Sequence, residues 1–566
     1  MASCQSLLLA TLSILACSPT SSAATPAVRP SPEDARGNAN RVFNAVHSAM
    51  RQWGSSIHHN GMSFFPATIP AGVWLYHGGH QEDAVTGMEW LAFEIEHAES
   101  FARPAPAPPP SDGPRQPPQT LLRRRMTSPN QSPLVQQQQQ DFDDDDDDDN
   151  DRRSSSSSRP RRPFRDGYLH TYRVTRPQRM LYIDGMSGAK SPLGTLDSQD
   201  ELLRNRTGSG GFDEWPRAGA LCDLARAWEL DGVVRMEAGF EVIKCDFADG
   251  SLDLVSVARR PPWRPAYGDD DDGGDGDDDD DDGWALDQME YLRAVSQRYW
   301  GITASRVALD QSRMVSALFY PVNLTNPEAV SNPALPRMVS VPWEELDAIK
   351  NDVAEAMAAA SWQGTTTSGL DWQGVTDMVV SRYADRLRFI AERTTTLEDV
   401  RADVNGLLDT FINYATAAAA DDAQTPDLVA ARRRCSRHYL DPVRSAVTTW
   451  QDELIRIALE AVTSRICTDL FAVRAILSES GATGGEGERG GVDHQLARAR
   501  ARVRGLMTWL DWAEWRKCGA CEPSQVCFVA VWPYGDAEDH FSPSCLNKTQ
   551  LEGRHGYWRF DRRGRG

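Results

Sequence analysis

The pattern of apolar and polar positions gives the first half of the chain mixed strand and helix signals. Short apolar or alternating runs predict strands, and apolar residues three or four positions apart predict helices. A helix-like segment covers residues 94–102, and a helical period covers residues 218–230. The predicted strands are residues 73–76, 90–93, 168–173, 179–184, 240–247 and 252–257.

Beyond residue 283 the apolar period changes from two to about 3.6, which predicts helices. Pro442, preceded by Asp441, predicts two helices that meet there. The tail returns to a strand pattern at residues 527–532. The fold class expected is an α+β N-terminal domain followed by a mainly α-helical C-terminal domain with a disulfide-rich tail. The predicted helices are residues 284–300, 343–359, 375–392, 397–414 and two within 428–477.

Low-complexity segments set the expected boundaries. Residues 104–165 are rich in Pro, Gln, Asp and Ser and cannot bury enough apolar surface to offset the entropy of ordering them. The strand pattern resumes at Gly167, so we expect a disordered insertion within one domain. The expected units are α/β halves at 35–103 and 166–260, an acidic linker at 268–283, a helical domain at 284–480, a Gly-rich loop at 481–495, and a helix with the cysteine-rich tail at 496–566.

The formal charge of −21 is concentrated in two tracts. Runs of aspartate between residues 141 and 151 and between residues 269 and 282 supply 20 of the negative charges. The remainder of the chain is therefore nearly neutral, and the tracts read as solvated, extended segments. This distribution gives no reason to expect a nucleic-acid partner.

The first residues have the layout of a secretion signal. An uncharged apolar run at residues 7–16 is followed by small residues at 21–24, which predicts a signal peptide over residues 1–23. A run of about ten residues is too short to cross a bilayer as a helix. We expect a secreted, extracellular protein without a membrane partner.

The cysteines and the glycosylation sequons agree with that compartment. Loss of the signal removes Cys4 and Cys17 and leaves eight cysteines, an even number typical of disulfides. The four between residues 518 and 545 are expected to pair among themselves, with a four-thiolate zinc site as the alternative. Sequons at Asn205, Asn323 and Asn547 predict N-glycosylation.

Three motifs in the first part resemble the signatures of the ADP-ribosyltransferase fold. Residues 75–78 (LYHG) look like the first signature, residues 89–102 (EWLAFEIEHAESFA) like the second, and residues 241–246 (EVIKCD) like the third. Their order along the chain agrees with that fold. The resemblance covers about residues 70–258 and implies a mixed sheet with helices and NAD as the substrate.

The resemblance also implies roles for individual residues. Glu241 would stabilise the positive charge that develops on the ribose as nicotinamide leaves, since a preorganised carboxylate in a dry cleft favours that transition state. Glu237 is the alternative carboxylate for this role. His77 would position the adenosine ribose, so both side chains must reach one cleft. The family's nicotinamide-stacking tyrosine is absent, and Leu91 or a phenylalanine takes its place. The implied NAD-binding residues are Tyr76, Gly78, Phe93 and Phe101.

The chain as a whole resembles a group of uncharacterised secreted proteins of filamentous fungi. The likeness extends into the helical region and the cysteine tail, and it implies no activity. It is carried by residues 53–56 (WGSS), 60–63 (NGMS), 184–187 (DGMS), 194–197 (GTLD) and 235–241 (RMEAGFE).

Two further side-chain sets permit other chemistry. His77, His80 and His97 could bind a metal, but no further ligand has suitable spacing, so no metal is expected. A carboxylate set at positions 184, 197 and 200 would suit a glycosidase only if its members lie at the required separation.

Two functions remain open on the sequence. One is an NAD-consuming enzyme that transfers ADP-ribose to a protein, a small-molecule acceptor or water. The other is a catalytically inactive secreted binding or effector protein that acts through its helical domain. Turnover of NAD by the purified protein distinguishes them.

Overall fold

The structure is a computed structural model of the chain. The predicted signal peptide and most of the predicted insertion and acidic linker lie outside the residues that it describes. The described residues are 28–103, 105–106, 164–206, 214–260, 282–297, 306–327, 335–362, 364, 366–393, 396–414, 427–479, 487–552, 554 and 556–558.

A mixed sheet forms the centre of the N-terminal region. Among the described residues ten strands join it, in the order β10-β6-β2-β3-β9-β8-β7-β1-β11, and β12 also pairs with β1. The pair β7–β8 is parallel and the other pairs are antiparallel. The strands are β1 Ser63–Ile69, β2 Trp74–Gly79, β3 Glu89–Ala92, β4 Ala105–Pro106, β5 Phe164–Arg165, β6 Tyr168–Val174, β7 Gln178–Ile183, β8 Gly232–Met236, β9 Phe240–Lys244, β10 Leu252–Arg259, β11 Ala308–Leu309 and β12 Val315–Ser316.

The helices cover the sheet and fill the C-terminal region. α11 begins with a capping box in which Thr449 and Asp452 satisfy each other's backbone amides. The helices are α1 Pro32–Gly37, α2 Ala39–Ser48, α3 Gln52–Ile57, α4 Ile95–Glu99, α5 Glu214–Ala227, α6 Asp282–Gln297, α7 Trp343–Ala358, α8 Trp372–Arg388, α9 Leu397–Leu408, α10 Leu428–Arg437, α11 Trp450–Ser478, α12 Gly487–Leu510, α13 Ala537–Phe541 and α14 Lys548–Leu551.

The predicted combination of an N-terminal mixed sheet with helices and a helical C-terminal region is confirmed. The two longest strands that were not predicted are β1 and β8, and neither has an alternating pattern. Both are buried on both faces, and β1 also contains Pro66 while β8 contains the charged Arg235. Proline and a charged side chain inside a strand both argue against one at the level of sequence.

The ends of the predicted insertion lie side by side. The short strands β4 and β5 pair, with Ala105 opposite Arg165 and Pro106 opposite Phe164. Gly167 lies so close to this junction that a Cβ there would stand 1.6 Å from the carbonyl oxygen of Ala102. The chain therefore leaves and re-enters the domain at one point, as an insertion within a single domain requires.

The structure differs from the predicted units at two places. The segment predicted as a helical domain, residues 284–480, also supplies β11 and β12 to the edge of the sheet at β1. Residues 487–495, expected to be part of a loop, lie in α12. One apolar core runs through both regions, from Ala35 to Trp558, and α11 packs against α1 and α2. The sheet and the helical region share one core because an apolar face of a sheet must be covered by another layer of structure.

Disulfides hold the chain at four places among the described residues. Cys222 on α5 is joined to Cys245 after β9, and Cys435 on α10 to Cys467 on α11. In the tail, β13 Gln525–Phe528 pairs with β14 Ser544–Asn547. The tail cysteines pair among themselves, as predicted, in the combinations Cys518–Cys527 and Cys521–Cys545.

Candidate functional site

The two residues implied in NAD chemistry face opposite ways on the sheet. Tyr76 on β2 pairs with Ala92 on β3, and Ala92 pairs with Glu241 on β9. Residues paired across strands point to the same face, and consecutive residues of a strand point to opposite faces. Tyr76 therefore shares a face with Glu241, and His77 points to the other. The expectation that His77 and Glu241 reach one cleft is wrong.

His77 lies in the packed interior. Its side chain is 2% exposed, and its Nδ1 lies 2.9 Å from the carbonyl oxygen of Trp90. The rings of His170 and Phe247 lie 5.6 and 5.8 Å from its ring. Burial lowers the pKa of His77 to about 4, so the ring is neutral near pH 7. These contacts suit a core histidine.

On the Glu241 face, α4 packs directly onto β2. A Cβ at Gly78 would stand 1.9 Å from the carbonyl oxygen of Ala98, so only glycine allows this approach. Phe93 is buried in the core, and the Phe101 ring lies 5.8 Å from that of His97. Helix α4 therefore lies directly against Gly78 on this face.

Glu241 belongs to a group of charged side chains that we call the buried ionic cluster. Arg235 donates through Nε to Oε1 of Glu241 at 2.7 Å and through Nη2 to Glu214. Arg217 donates to Oε2 of Glu214 at 2.9 Å, and Lys190 donates to Oε1 of Glu237 at 2.8 Å. The cluster consists of Lys190, Glu214, Arg217, Arg235, Glu237 and Glu241, all of them buried.

The hairpin of β8 and β9 builds the centre of this cluster. Arg235 and Glu241 are direct partners in its ladder, and Glu237 begins the turn, where its amide donates to the carbonyl of Gly239. Burial would raise the pKa of Glu214, but Arg235 and its neighbours lower it to about 2. Burial raises the pKa of Glu237 to about 7, against the opposing effect of Lys190. The negative charge of Glu241 is thus balanced by Arg235, its partner in the ladder.

His97 on α4 completes this region. Its Nδ1 lies 2.9 Å from the hydroxyl of Tyr291 on α6, while its Nε2 is buried and has no hydrogen-bond partner among the described residues. A ring nitrogen of His97 and carboxylate oxygens of Glu237 and Glu241 all lie within 4.8 Å of one another. Burial lowers the pKa of His97 to about 4, although Glu241 opposes the shift. One imidazole and two carboxylates form a donor set of the kind that binds metal ions.

A second feature is an open cleft of about 390 Å³ between the sheet and the C-terminal region, lined by both polar and apolar side chains. This volume lies in the range of small-molecule sites. The segments after α3 and after β7 form its floor, which places two of the motifs quoted above, NGMS and DGMS, against each other. We call it the Asp184 cleft; its polar lining includes Arg41, His58, Asn60, Asp184, Asp511 and Arg516.

Two residues that line the Asp184 cleft have buried polar atoms without a partner. The Asn60 amide nitrogen donates to the carbonyls of Leu193 at 2.9 Å and Pro336 at 3.0 Å. Oδ1 of Asn60 and Nε2 of His58 make no hydrogen bond with the described residues. Nδ1 of His58 faces the Asp511 carboxylate at 3.9 Å. Each unsatisfied buried polar atom costs about 1–3 kcal/mol, which a ligand can recover.

Asp184 is held in place by the close approach of two loops. Its Oδ1 accepts from the amide of Ser63 at 2.7 Å, and a Cβ at Gly61 would stand 1.9 Å from its carbonyl oxygen. Burial raises the pKa of Asp184 to about 7, although the Ser63 amide opposes the shift. Near neutral pH the carboxyl is therefore partly protonated and able to donate as well as accept.

The remaining carboxylates of the expected glycosidase set are engaged elsewhere. Both oxygens of Asp197 accept from Arg337, and Asp200 accepts from Arg204 and Arg217. They pair with separate arginines and do not line the Asp184 cleft.

Comparisons with known proteins place these features in context. Residues 32–261 match the family model described as the YPL277C N-terminal domain. Over 546 residues the chain is 25% identical to Uncharacterized protein YOR389W of Saccharomyces cerevisiae, covering 88% of this chain and 82% of that protein. Over 230 residues it is 32% identical to Uncharacterized protein YPL277C of the same yeast, covering 39% and 43%. These matches support an uncharacterised fungal family.

The matched segment contains the whole β8–β9 hairpin, α4 and Asp184. No solved structure matches the chain. Among the described residues, no helix is long and apolar enough to cross a membrane.

Proposed function

We propose that the protein is a secreted binding protein that holds a hydroxyl-bearing polar ligand in the Asp184 cleft and does not consume NAD. The observation that carries this proposal is a cleft large enough for a small molecule, two of whose lining residues, His58 and Asn60, have buried polar atoms without a partner among the described residues.

The chemistry of the cleft defines what the ligand must offer. Both hydrogens of the Asn60 amide group are used by backbone carbonyls, which leaves only its Oδ1, a hydrogen-bond acceptor, for a ligand. Burial lowers the pKa of His58, and the Asp511 carboxylate beside Nδ1 favours the tautomer whose Nε2 is also an acceptor. Two fixed acceptors call for two donors, as adjacent hydroxyl groups of a sugar or polyol provide.

Binding is tested by titrating the purified chain with mono- and oligosaccharides and polyols, monitored by ligand-observed NMR and thermal shift. His58→Gln should weaken binding of any hit at least about 10-fold, which corresponds to one lost hydrogen bond to a buried group. His47→Gln is the matched control, because His47 is also a mostly buried histidine beside an aspartate and lines a different cleft of about 290 Å³. Failure of all these ligands to bind, or an equal loss in both variants, contradicts the proposal.

The proposal that NAD is not consumed rests on the sheet register. Glu241 and His77 face opposite sides, and Arg235 already neutralises the carboxylate that would have to stabilise a ribosyl cation. Nicotinamide release from NAD should therefore be absent in the wild type, in Glu241→Gln and in His77→Ala. Release by the wild type that disappears in Glu241→Gln, with unchanged folding, would restore the enzymatic hypothesis.

Secretion and glycosylation are part of the same proposal. Asn205 and Asn323 are exposed, so both sequons are open to an oligosaccharide. The Asn547 side chain instead caps α14 by accepting from the amide of Gln550. Protein collected from the medium of a fungal host should lose mass on enzymatic deglycosylation, and the loss should shrink in Asn205→Gln and in Asn323→Gln. Protein retained inside the cell without glycans argues against secretion.

A further inference from the structure

We propose that His97, Glu237 and Glu241 bind a divalent first-row transition-metal ion. The site is separate from the Asp184 cleft, and the proposal does not depend on the function of that cleft. It also departs from the sequence-based expectation that no metal is present, which considered His97 only together with His77 and His80.

The fold brings the three ligands together from two directions. Glu237 and Glu241 come from the β8–β9 hairpin, and His97 comes from α4, which packs across β2 and α6. A Cβ at Gly239 would stand 3.3 Å from the His97 ring, so the hairpin turn and the imidazole are in contact. One donor atom from each ligand lies within 4.8 Å of the others, close enough for small side-chain movements to complete a coordination shell.

The orientation of His97 is an independent observation that points to a ligand. Nε2 is buried without a partner among the described residues, and Nδ1 is held by the hydroxyl of Tyr291. A histidine that binds a metal through one nitrogen normally has the other fixed by a hydrogen bond of this kind. A metal on Nε2 would give this buried atom the partner that it lacks among the described residues.

Two cationic side chains, Lys190 and Arg235, already contact the carboxylates and would affect the affinity for a metal ion. Lys190 and Arg235 donate to the Oε1 atoms of Glu237 and Glu241, so a metal ion would share these two carboxylates with them. Arg235 is held by Glu214 as well, so it stays in place when a metal binds. Lys190 is the competitor: its Nζ lies 4.7 Å from the centre of the Trp532 ring, a second place for the ammonium once the metal occupies Glu237.

The donor set indicates the class of metal. One imidazole nitrogen and two carboxylate oxygens, without thiolate, suit Zn²⁺, Mn²⁺, Fe²⁺ or Co²⁺, and water would complete the shell. The tail cysteines are not an alternative site, because all four are joined in disulfides.

The test uses the full chain, stripped with a chelator and titrated with Zn²⁺ by calorimetry and with Co²⁺ by visible absorption. One equivalent should bind. Affinity should fall at least about 10-fold in His97→Ala and in Glu241→Gln. Glu89→Gln, which removes a buried carboxyl from the opposite face of the sheet, is the matched control and should bind as the wild type does.

Lys190→Gln supplies a readout that does not depend on losing a ligand. It removes the competing ammonium, so metal affinity should rise. Absence of stoichiometric binding, unchanged affinity in Lys190→Gln, or full binding by folded His97→Ala and Glu241→Gln each overturns the proposal. If the two ligand variants fail to fold, the direction of the Lys190→Gln effect decides it.

Discussion

Glu89 should make the protein progressively less stable as pH rises through neutrality. The side chain lies on β3, its residue is 0% exposed, and neither carboxyl oxygen has a hydrogen bond of normal geometry with the described residues. Lys244 is its partner across the ladder, but the Lys244 ammonium is bonded to Asp249 at 2.7 Å. Burial raises the pKa of Glu89 from 4.5 to about 8, with only the amide of Trp90 opposing.

The sign and size of the change in stability with pH follow from proton linkage. The folded state keeps the proton up to about pH 8, whereas the unfolded chain loses it near pH 4.5. Between these values the folded state binds more protons, so the free energy of unfolding falls as pH rises. The stabilising contribution is complete below pH 4.5 and is lost by about pH 8. At about 1.4 kcal/mol per pH unit, the loss at pH 7 is about 3 kcal/mol.

Glu89→Gln removes the titration while keeping the shape of the side chain. The assay is urea unfolding of wild type and variant at half-unit steps from pH 5 to 8, and the variant should gain stability relative to the wild type as pH rises. Asp253→Asn, at an exposed carboxylate paired with Arg173 on the surface, tests whether the slope is specific to position 89. Parallel curves for wild type and Glu89→Gln would refute the reasoning.

Three further outcomes are expected. Arg235→Met should lower the free energy of unfolding by about 3–5 kcal/mol, since it leaves Glu214 and Glu241 buried without their cation. Urea unfolding measures this change, and unchanged stability would contradict the role given to the ion pairs. Nonreducing peptide mapping should recover Cys518–Cys527 and Cys521–Cys545, and zinc held by free thiols in the tail would refute that pairing. Replacing residues 107–163 by a short Gly-Ser linker should change stability by no more than about 1 kcal/mol, because β4 and β5 hold the two ends together, and a loss of several kcal/mol would show that the insertion packs.

Local sequence signals identified the elements that have one exposed face or that alternate between apolar and polar residues. The tail cysteines, the helices after residue 283 and the strands with turn residues at their ends could be predicted. Strand β8 could not, because its burial is complete and Arg235 interrupts its apolar run. That arginine is tolerated only because Glu241 and Glu214 meet it, and one of these comes from a helix, α5, whose position on the sheet no local pattern specifies.

The Asp184 cleft was missed for a related reason. The loops around Asn60 and Asp184 were visible in the sequence as short motifs, but more than 100 residues separate them. Their meeting is set by the antiparallel pairing of β1 with β7, and β1 was not predicted. Without that strand nothing in the sequence places Gly61 against Asp184 or brings His58 beside them.

The error at the proposed NAD site has a single physical origin, which is the two-residue repeat of a strand. Both Tyr76 and His77 lie at the end of β2, and a shift of one residue exchanges the two faces of the sheet. Strands β2 and β9, expected to be neighbours, are separated by β3, and the motif resemblance did not specify which of the two adjacent side chains faces Glu241. The register assigns that place to Tyr76 and directs His77 into the core, so the chemistry of the Glu241 face is set by His97, Glu237 and Lys190 instead.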